Sequence, residues 1–195
     1  MKLSARDITL VAMFAALTAV AAILSRFSLI VIPFYHVPFS LVPLIVILAG
    51  MLLGPRLGAL SMAVYVAMGL MGLPVFEKPP FGGPAYVLQP TFGYLIGFIL
   101  GAYVTGKLLP AQGNSGIARY LLASLGGIAA IYLAGLPYLY VILNFYIGKT
   151  FSVWKVIQIG FAPFIALDLV KGVLASFLAM AVVRRVKTAA GAQNE

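Results

Sequence analysis

Residues 163–177 read PFIALDLVKGVLASF, an apolar run whose only charges are Asp168 and Lys171. Three residues apart, the acid and the base share one face of a helix. On membrane-insertion scales, a charge in the hydrocarbon core costs at least ~2.5–3.5 kcal/mol. Charges kept there face a bundle interior, where they pair with one another or bind something. The pair therefore reads either as a structural lock on its helix or as a polar clamp on a ligand. A carboxylate accepts N–H bonds, and an ammonium donates to a carbonyl or carboxylate.

The rest of the chain supplies the apolar setting that this run requires. Of 195 residues, 63% are hydrophobic and 9% charged, with a mean hydropathy of +1.11. A soluble domain carries about 25% charged residues. A spanning helix needs roughly 20 mostly apolar residues, so the expected fold is an all-α integral membrane protein of six transmembrane helices with no further catalytic domain. Residues 1–187 form a single transmembrane domain, and 188–195 form a polar tail expected to be disordered. The net charge of +9 comes from 13 basic and four acidic residues. Most basic residues flank apolar segments, which points to a lipid bilayer rather than to nucleic acid. Without cysteine, disulfides, Cys-ligated zinc and thiol catalysis are excluded.

The first apolar segment, 8–24, is long for a signal peptide, although Ala19-Val20-Ala21 imitates a cleavage site. Pro33, Pro38 and Pro43 punctuate the next stretch, predicting an irregular loop over 27–39 that enters a second helix at 40–53. Gly54-Pro55-Arg56 forms a tight turn into a third helix, 57–72. The stretch LPVFEKPPFGGPAY (73–86) holds four prolines and two glycines, which rules out a regular span. A fourth helix follows at 89–109, a fifth at 117–146 and a sixth at 164–183. Eight basic residues flank the ends that share a side with the N-terminus, and four lie opposite: Arg26, Lys78, Lys149 and Lys155. That asymmetry predicts both termini in the cytoplasm and the two proline-rich loops together on the outer side.

Asn144, Gln89, Tyr86, Tyr94 and Tyr140 add hydrogen-bonding groups at the outer helix ends, where a tyrosine also serves as an ordinary interfacial anchor. Phe76, Phe81, Phe92 and Trp154 wall a pocket or simply pack. Glu77 and Lys78 read as a solvated loop pair, and His36 as structural. Glycines at 93, 97 and 101 and alanines at 12 and 16 form small-residue stripes, suited to internal packing or to docking of a membrane partner. Neither a phosphate-binding loop nor a metal or nucleophile–base set can be assembled. A single membrane-embedded acid leaves little basis for a proton-coupled carrier. The residues thus describe a small bundle with a polar pocket and no energy source of its own.

Three long blocks are more specific. GMLLGPRLGALSMAVYVAMGLMGLPVF (Gly50–Phe76), YVLQPTFGYLIGF (Tyr86–Phe98) and PFIALDLVKGVLA (Pro163–Ala175) resemble signature blocks of the BioY family, and LYVILNFYIGK (Leu139–Lys149) resembles the end of its fifth helix. These are the biotin-binding S components of energy-coupling factor (ECF) transporters, and the resemblance covers roughly residues 5–187. It implies an ECF S-component-like bundle in a bacterial-type plasma membrane, with biotin held under the loops joining helices one–two and three–four. It also implies a transmembrane scaffold subunit and two cytoplasmic ATPase subunits as partners, with no cofactor on this chain. Ala12 and Ala16 match the family's A-x-x-x-A scaffold-docking motif. On this resemblance Asp168 accepts ureido N–H bonds and Lys171 orients it or contacts biotin. Gln89, Tyr94, Asn144, Lys78 and Tyr86 complete the polar contacts, and Phe76 lies against the apolar ring. The alternatives are an S component for another small vitamin or heterocycle and a stand-alone secondary carrier.

Two stretches depart from the family pattern. VPFSLVPLIV (Val37–Val46) lacks the usual glutamine and adds Pro43. FEKPPFGGPAY (Phe76–Tyr86) is richer in proline than usual and carries Glu77, an acid that would repel a ligand carboxylate unless turned outward.

Overall fold

The computed structural model describes residues 3–27, 29–32, 35–38, 40–109 and 116–191. Helix α1 spans Ala5–Ser25. It starts at a capping box in which the Ser4 hydroxyl accepts from Asp7 N–H (3.2 Å) and Asp7 Oδ2 accepts from Ser4 N–H (3.0 Å), which satisfies two orphan donors of the first turn. Its inward face carries Phe14, Ala15, Thr18, Ala19 and Ala22. The Ser25 hydroxyl donates to Ala21 O and accepts from Leu41 N–H at 2.9 Å, joining the end of α1 to the start of α2.

Between them, the predicted irregular loop is a two-stranded antiparallel hairpin, β1 (Leu29–Ile32) and β2 (Tyr35–Pro38), paired Leu29↔Pro38 through Ile32↔Tyr35. Leu-Ile-Val-Ile favours extended backbone, and Pro38 ends its strand, where a missing donor breaks no interior ladder bond. His36, read as a loop residue, falls within β2.

Helix α2, Val42–Leu70, breaks at Gly54, whose φ of 77° and ψ of −179° are not helical. The break turns the chain back on itself. A Cβ at Gly58 would lie 2.9 Å from the Ala49 carbonyl oxygen, whereas nine residues of straight helix would separate them by ~13 Å. The arms, 42–53 and 55–70, are the expected second and third helices, the first of them short at ~18 Å. A 3-10 turn, Pro84–Leu88, precedes α3 (Phe92–Leu108), so the predicted start at residue 89 moves inward by three residues. Helix α4 (Ile117–Val141) ends in a π-helical turn, Ile142–Tyr146. The apolar approach to the last helix is itself a helix, α5 (Val153–Gly160), capped by Ser152. Helix α6 runs from Ala162 to Gly191, past residue 188, where the polar tail was expected; Ala189 and Ala190 are strong helix formers. The six spans correspond to α1, both arms of α2, α3, α4 and α6, and α5 is too short to cross.

The glycine stripes are packing devices. A Cβ at Gly97 would lie 2.6 Å from Ile131 O, and one at Gly101 2.7 Å from Ile131 Cγ1, so α3 meets the backbone of α4 at Gly97 and the Ile131 side chain at Gly101. Gly50 abuts Ala102 O at a corresponding 2.5 Å, and Gly106 sits against Gly54 and Pro55. The break in α2 thus lies beside the end of α3, and the 73–86 loop lies at the opposite end of the bundle. Gly106→Ala should destabilise the purified protein by ~1–3 kcal/mol, because backbone cannot yield to the new methyl. Gly116→Ala, with nothing within 4 Å, should leave the thermal midpoint in detergent unchanged.

Candidate ligand-binding site

At the end of the bundle away from Gly54, the helices diverge around a cavity of about 280 Å³, near the lower end of the ~300–1,000 Å³ usual for ligand sites. Its apolar wall comes from the start of α2 (Val42, Pro43), from α3 (Leu95, Phe98), from α4 (Ile131, Leu139) and from the α5–α6 corner (Ile159, Phe164, Leu167). The polar groups gather on one side, where Asp168 and Lys171 come from α6, Glu77 and Lys78 from the 73–86 loop, and Ser40 from the approach to α2.

Asp168 is 7% and Lys171 5% exposed. Both are anchored by protein. Lys171 Nζ donates to Asp168 Oδ1 and to Ser40 O at 2.8 Å, while the Tyr132 hydroxyl donates to Asp168 Oδ2 at 2.5 Å. Tyr132 is held in turn by edge contacts with Tyr94 and Phe161, at centroid distances of 6.1 and 4.8 Å. The Tyr94 hydroxyl donates to Gly160 O at 2.8 Å. Hydrogen bonds and ring contacts together therefore tie α3, α4, α5, α6 and the approach to α2 around the pair.

The 73–86 loop covers the site and is fastened from α1. Arg26 caps that helix and sends Nε and Nη2 to Phe76 O, at 3.1 and 2.8 Å, with Nη2 also donating to Pro74 O. Its guanidinium lies 4.3 Å from the Phe81 ring centroid. Phe81 has a φ of 67°, a left-handed conformation that non-glycine residues adopt only where surroundings impose it. Phe76 is fully buried between Tyr65 and Tyr86, at centroid distances of 5.7 and 4.4 Å, and forms a layer behind the cavity wall.

Of the residues singled out from sequence, Asp168, Lys171, Tyr94, Lys78 and Tyr86 line the cavity. Phe76, Gln89 and Asn144 are not in its wall. Asn144 makes local bonds, donating to Tyr140 O (3.0 Å) and accepting from Phe151 N–H (2.8 Å), so it fastens the turn after α4. Glu77 is turned inward rather than solvated. Burial holds its carboxyl above the ordinary carboxylate range, and Asp168 adds to the rise; the Ser40 hydroxyl bond and the Lys78 and Lys171 cations oppose it. Tyr132, Tyr65, Ser40 and Arg26 were not singled out for the site. Tyr132 sits at i−4 from Leu136 on the inward face of α4, a pattern indistinguishable from core, and the other three depend on long-range closure. Ala12 and Ala16 lie exposed on α1, while Ala15 and Ala19 face inward.

The model of the BioY family matches residues 1–188. The chain belongs to the BioY family. Relatives include the probable biotin transporter BioY of Lysinibacillus sphaericus, 42% identical over 90% of this chain and 86% of that protein. The biotin transporter BioY of Thermotoga maritima is 41% identical over 90% and 94%. A crystal structure of the S-component for biotin from an ECF-type ABC transporter shares the fold, with a TM-score of 0.75 at 23% identity, over 94% of this chain and 95% of that one. The Asp168–Lys171 pair lies in one of the blocks that carry the BioY resemblance.

Lys171→Met should cost ~3–5 kcal/mol of stability, because it leaves Asp168 buried without its cation. Adding Asp168→Asn should restore most of that loss. Thermal unfolding of the two single variants and the double variant in detergent measures the coupling, and additive losses would mean that the pair does not act as a unit.

Proposed function

We propose that this chain is the biotin-capturing subunit of an ECF-type transporter in the plasma membrane. The observation that carries the reading is the cavity itself. In a chain of the BioY family, a compact apolar chamber is edged on one side by a buried carboxylate–ammonium pair and covered by a loop clasped from α1. Biotin suits such a chamber. Its ureido group offers two N–H donors and a carbonyl, its thiophane ring is apolar, and its tail ends in a carboxylate. Lys171 and the exposed Lys78 supply cations, and Phe98, Leu95 and Ile131 supply apolar wall.

The chain captures biotin at the outer face, with both termini in the cytoplasm, and delivers it by docking to a transmembrane scaffold. Two cytoplasmic ATPase subunits on that scaffold hydrolyse ATP, and this chain needs no cofactor of its own. The docking face is the outer side of α1, where Ala12 and Ala16 stand exposed among Ile8, Met13 and Val20. Small residues there let a partner helix approach closely.

Calorimetric titration of the purified chain should give one biotin per chain and no turnover, with unrelated vitamins silent. Tighter binding of a different vitamin would move the assignment to another ligand of the same fold. Ion-gradient-driven uptake by liposomes holding this chain alone would instead mark a secondary carrier. Ala16→Trp should leave biotin affinity within about twofold and abolish uptake by the assembled transporter; surviving uptake would clear that face of any docking role.

A further inference from the structure

The buried pair is engaged by protein, but the cavity has a second acid, Glu77, with one carboxyl oxygen that no protein donor meets. Glu77 Oε1 is buried and has no hydrogen-bond partner among the described residues. Thr105 Oγ1 shares that condition, but Thr105 lies in α3 outside the cavity wall. Asp168 differs, because Oδ1 and Oδ2 each already accept from a protein donor. A buried acceptor left unmatched carries its full desolvation penalty, and the loop that carries Glu77 is held in place by Arg26. Glu77 is therefore kept in the wall at a cost to the unliganded protein, in the manner of a group that waits for a donor.

From this geometry we infer that Glu77 is a specificity-determining residue that accepts an N–H bond from the ligand, which on the biotin reading above is a ureido N–H. Rotation about the terminal carboxyl torsion is soft, so the unsatisfied oxygen can turn to the cavity without moving the loop. The adjacent Lys78 is exposed and also lines the cavity. The ligand's carboxylate belongs at that cation, toward the opening, and its N–H-bearing ring belongs against Glu77. The acid that would repel a carboxylate tail thus sets which end of the ligand enters first. A ligand with a carboxylate but no N–H donor at the other end gains nothing from Glu77 and meets its charge.

This inference rests on the biotin reading, and its test separates the two. Titrate wild-type protein, Glu77→Ala and Glu77→Gln in detergent with biotin, with biotin methylated on the ureido nitrogens and with biotin methyl ester, and record the unliganded thermal midpoint of each protein. A hydrogen bond to a charged group corresponds to roughly 10- to 100-fold in affinity. Glu77→Ala should weaken biotin by that factor while its unliganded midpoint stays level or rises, since the unmatched acceptor is gone. Glu77→Gln, which keeps a carbonyl acceptor, should fall between wild type and alanine. Ureido methylation should cost affinity in wild type and much less in Glu77→Ala. Equal biotin affinity in wild type and Glu77→Ala overturns the inference and leaves the biotin reading standing. So does tighter biotin binding by Glu77→Ala with the methyl ester unaffected, which would mean that the acid faces the tail. A lowered midpoint that accounts for the affinity loss, with methylation equally costly in both proteins, makes Glu77 structural and also overturns it. No binding of biotin by folded wild-type protein overturns the function reading and this inference with it.

Discussion

A carboxylate and an ammonium set in the middle of an apolar helix leave the surrounding chain few options. Each charge is expensive alone, and together they are tolerable only if the remaining donors and acceptors are matched. The matching partners come from far away in sequence: Tyr132 on α4 for the acid and the Ser40 carbonyl before α2 for the base. Meeting that demand ties α2, α4 and α6 together at the polar side of the chamber. The polarity of the site is thus a condition of assembling the bundle at all.

Close approach elsewhere makes the convergence possible. Gly50, Gly97, Gly101 and Gly106 remove side chains where α2, α3 and α4 meet, at separations that a Cβ would violate. The strain-tolerant φ of Gly54 folds α2 into a hairpin. With the far end of the bundle drawn tight, the near end is left wide enough to hold a chamber.

The helices were legible because apolar runs and proline or glycine punctuation are local signals. The pair on α6 was legible because charge in an apolar run is conspicuous. Other features were less legible for equally physical reasons. Three prolines suggested an irregular loop after the first helix, yet Leu29–Ile32, rich in β-branched residues, pairs with Tyr35–Pro38 as strands. Glu77 beside Lys78 looks like a solvated surface pair until Arg26, distant in sequence, fastens the loop at the neighbouring Phe76 carbonyl. Tyr132 carries no mark that distinguishes a hydroxyl aimed at a carboxylate from an ordinary core ring. Asn144 was conspicuous as a polar residue at a helix end, and its amide is occupied with turn backbone. Local pattern reports the cost of placing a residue, while only the closed fold reports who meets that cost.

The clasp of Arg26 on the 73–86 loop has a mechanical meaning. Helix α1 is a stiff rod of 21 residues, ~31 Å long, with its small-residue face midway and the guanidinium at its tip. From Ala16 to Arg26 is ~15 Å along the axis, and the tip holds the loop backbone at two carbonyls and one aromatic face. Rod and cover are therefore a single lever. A helix that leaned on the middle of that rod would have its hand on the latch of the chamber.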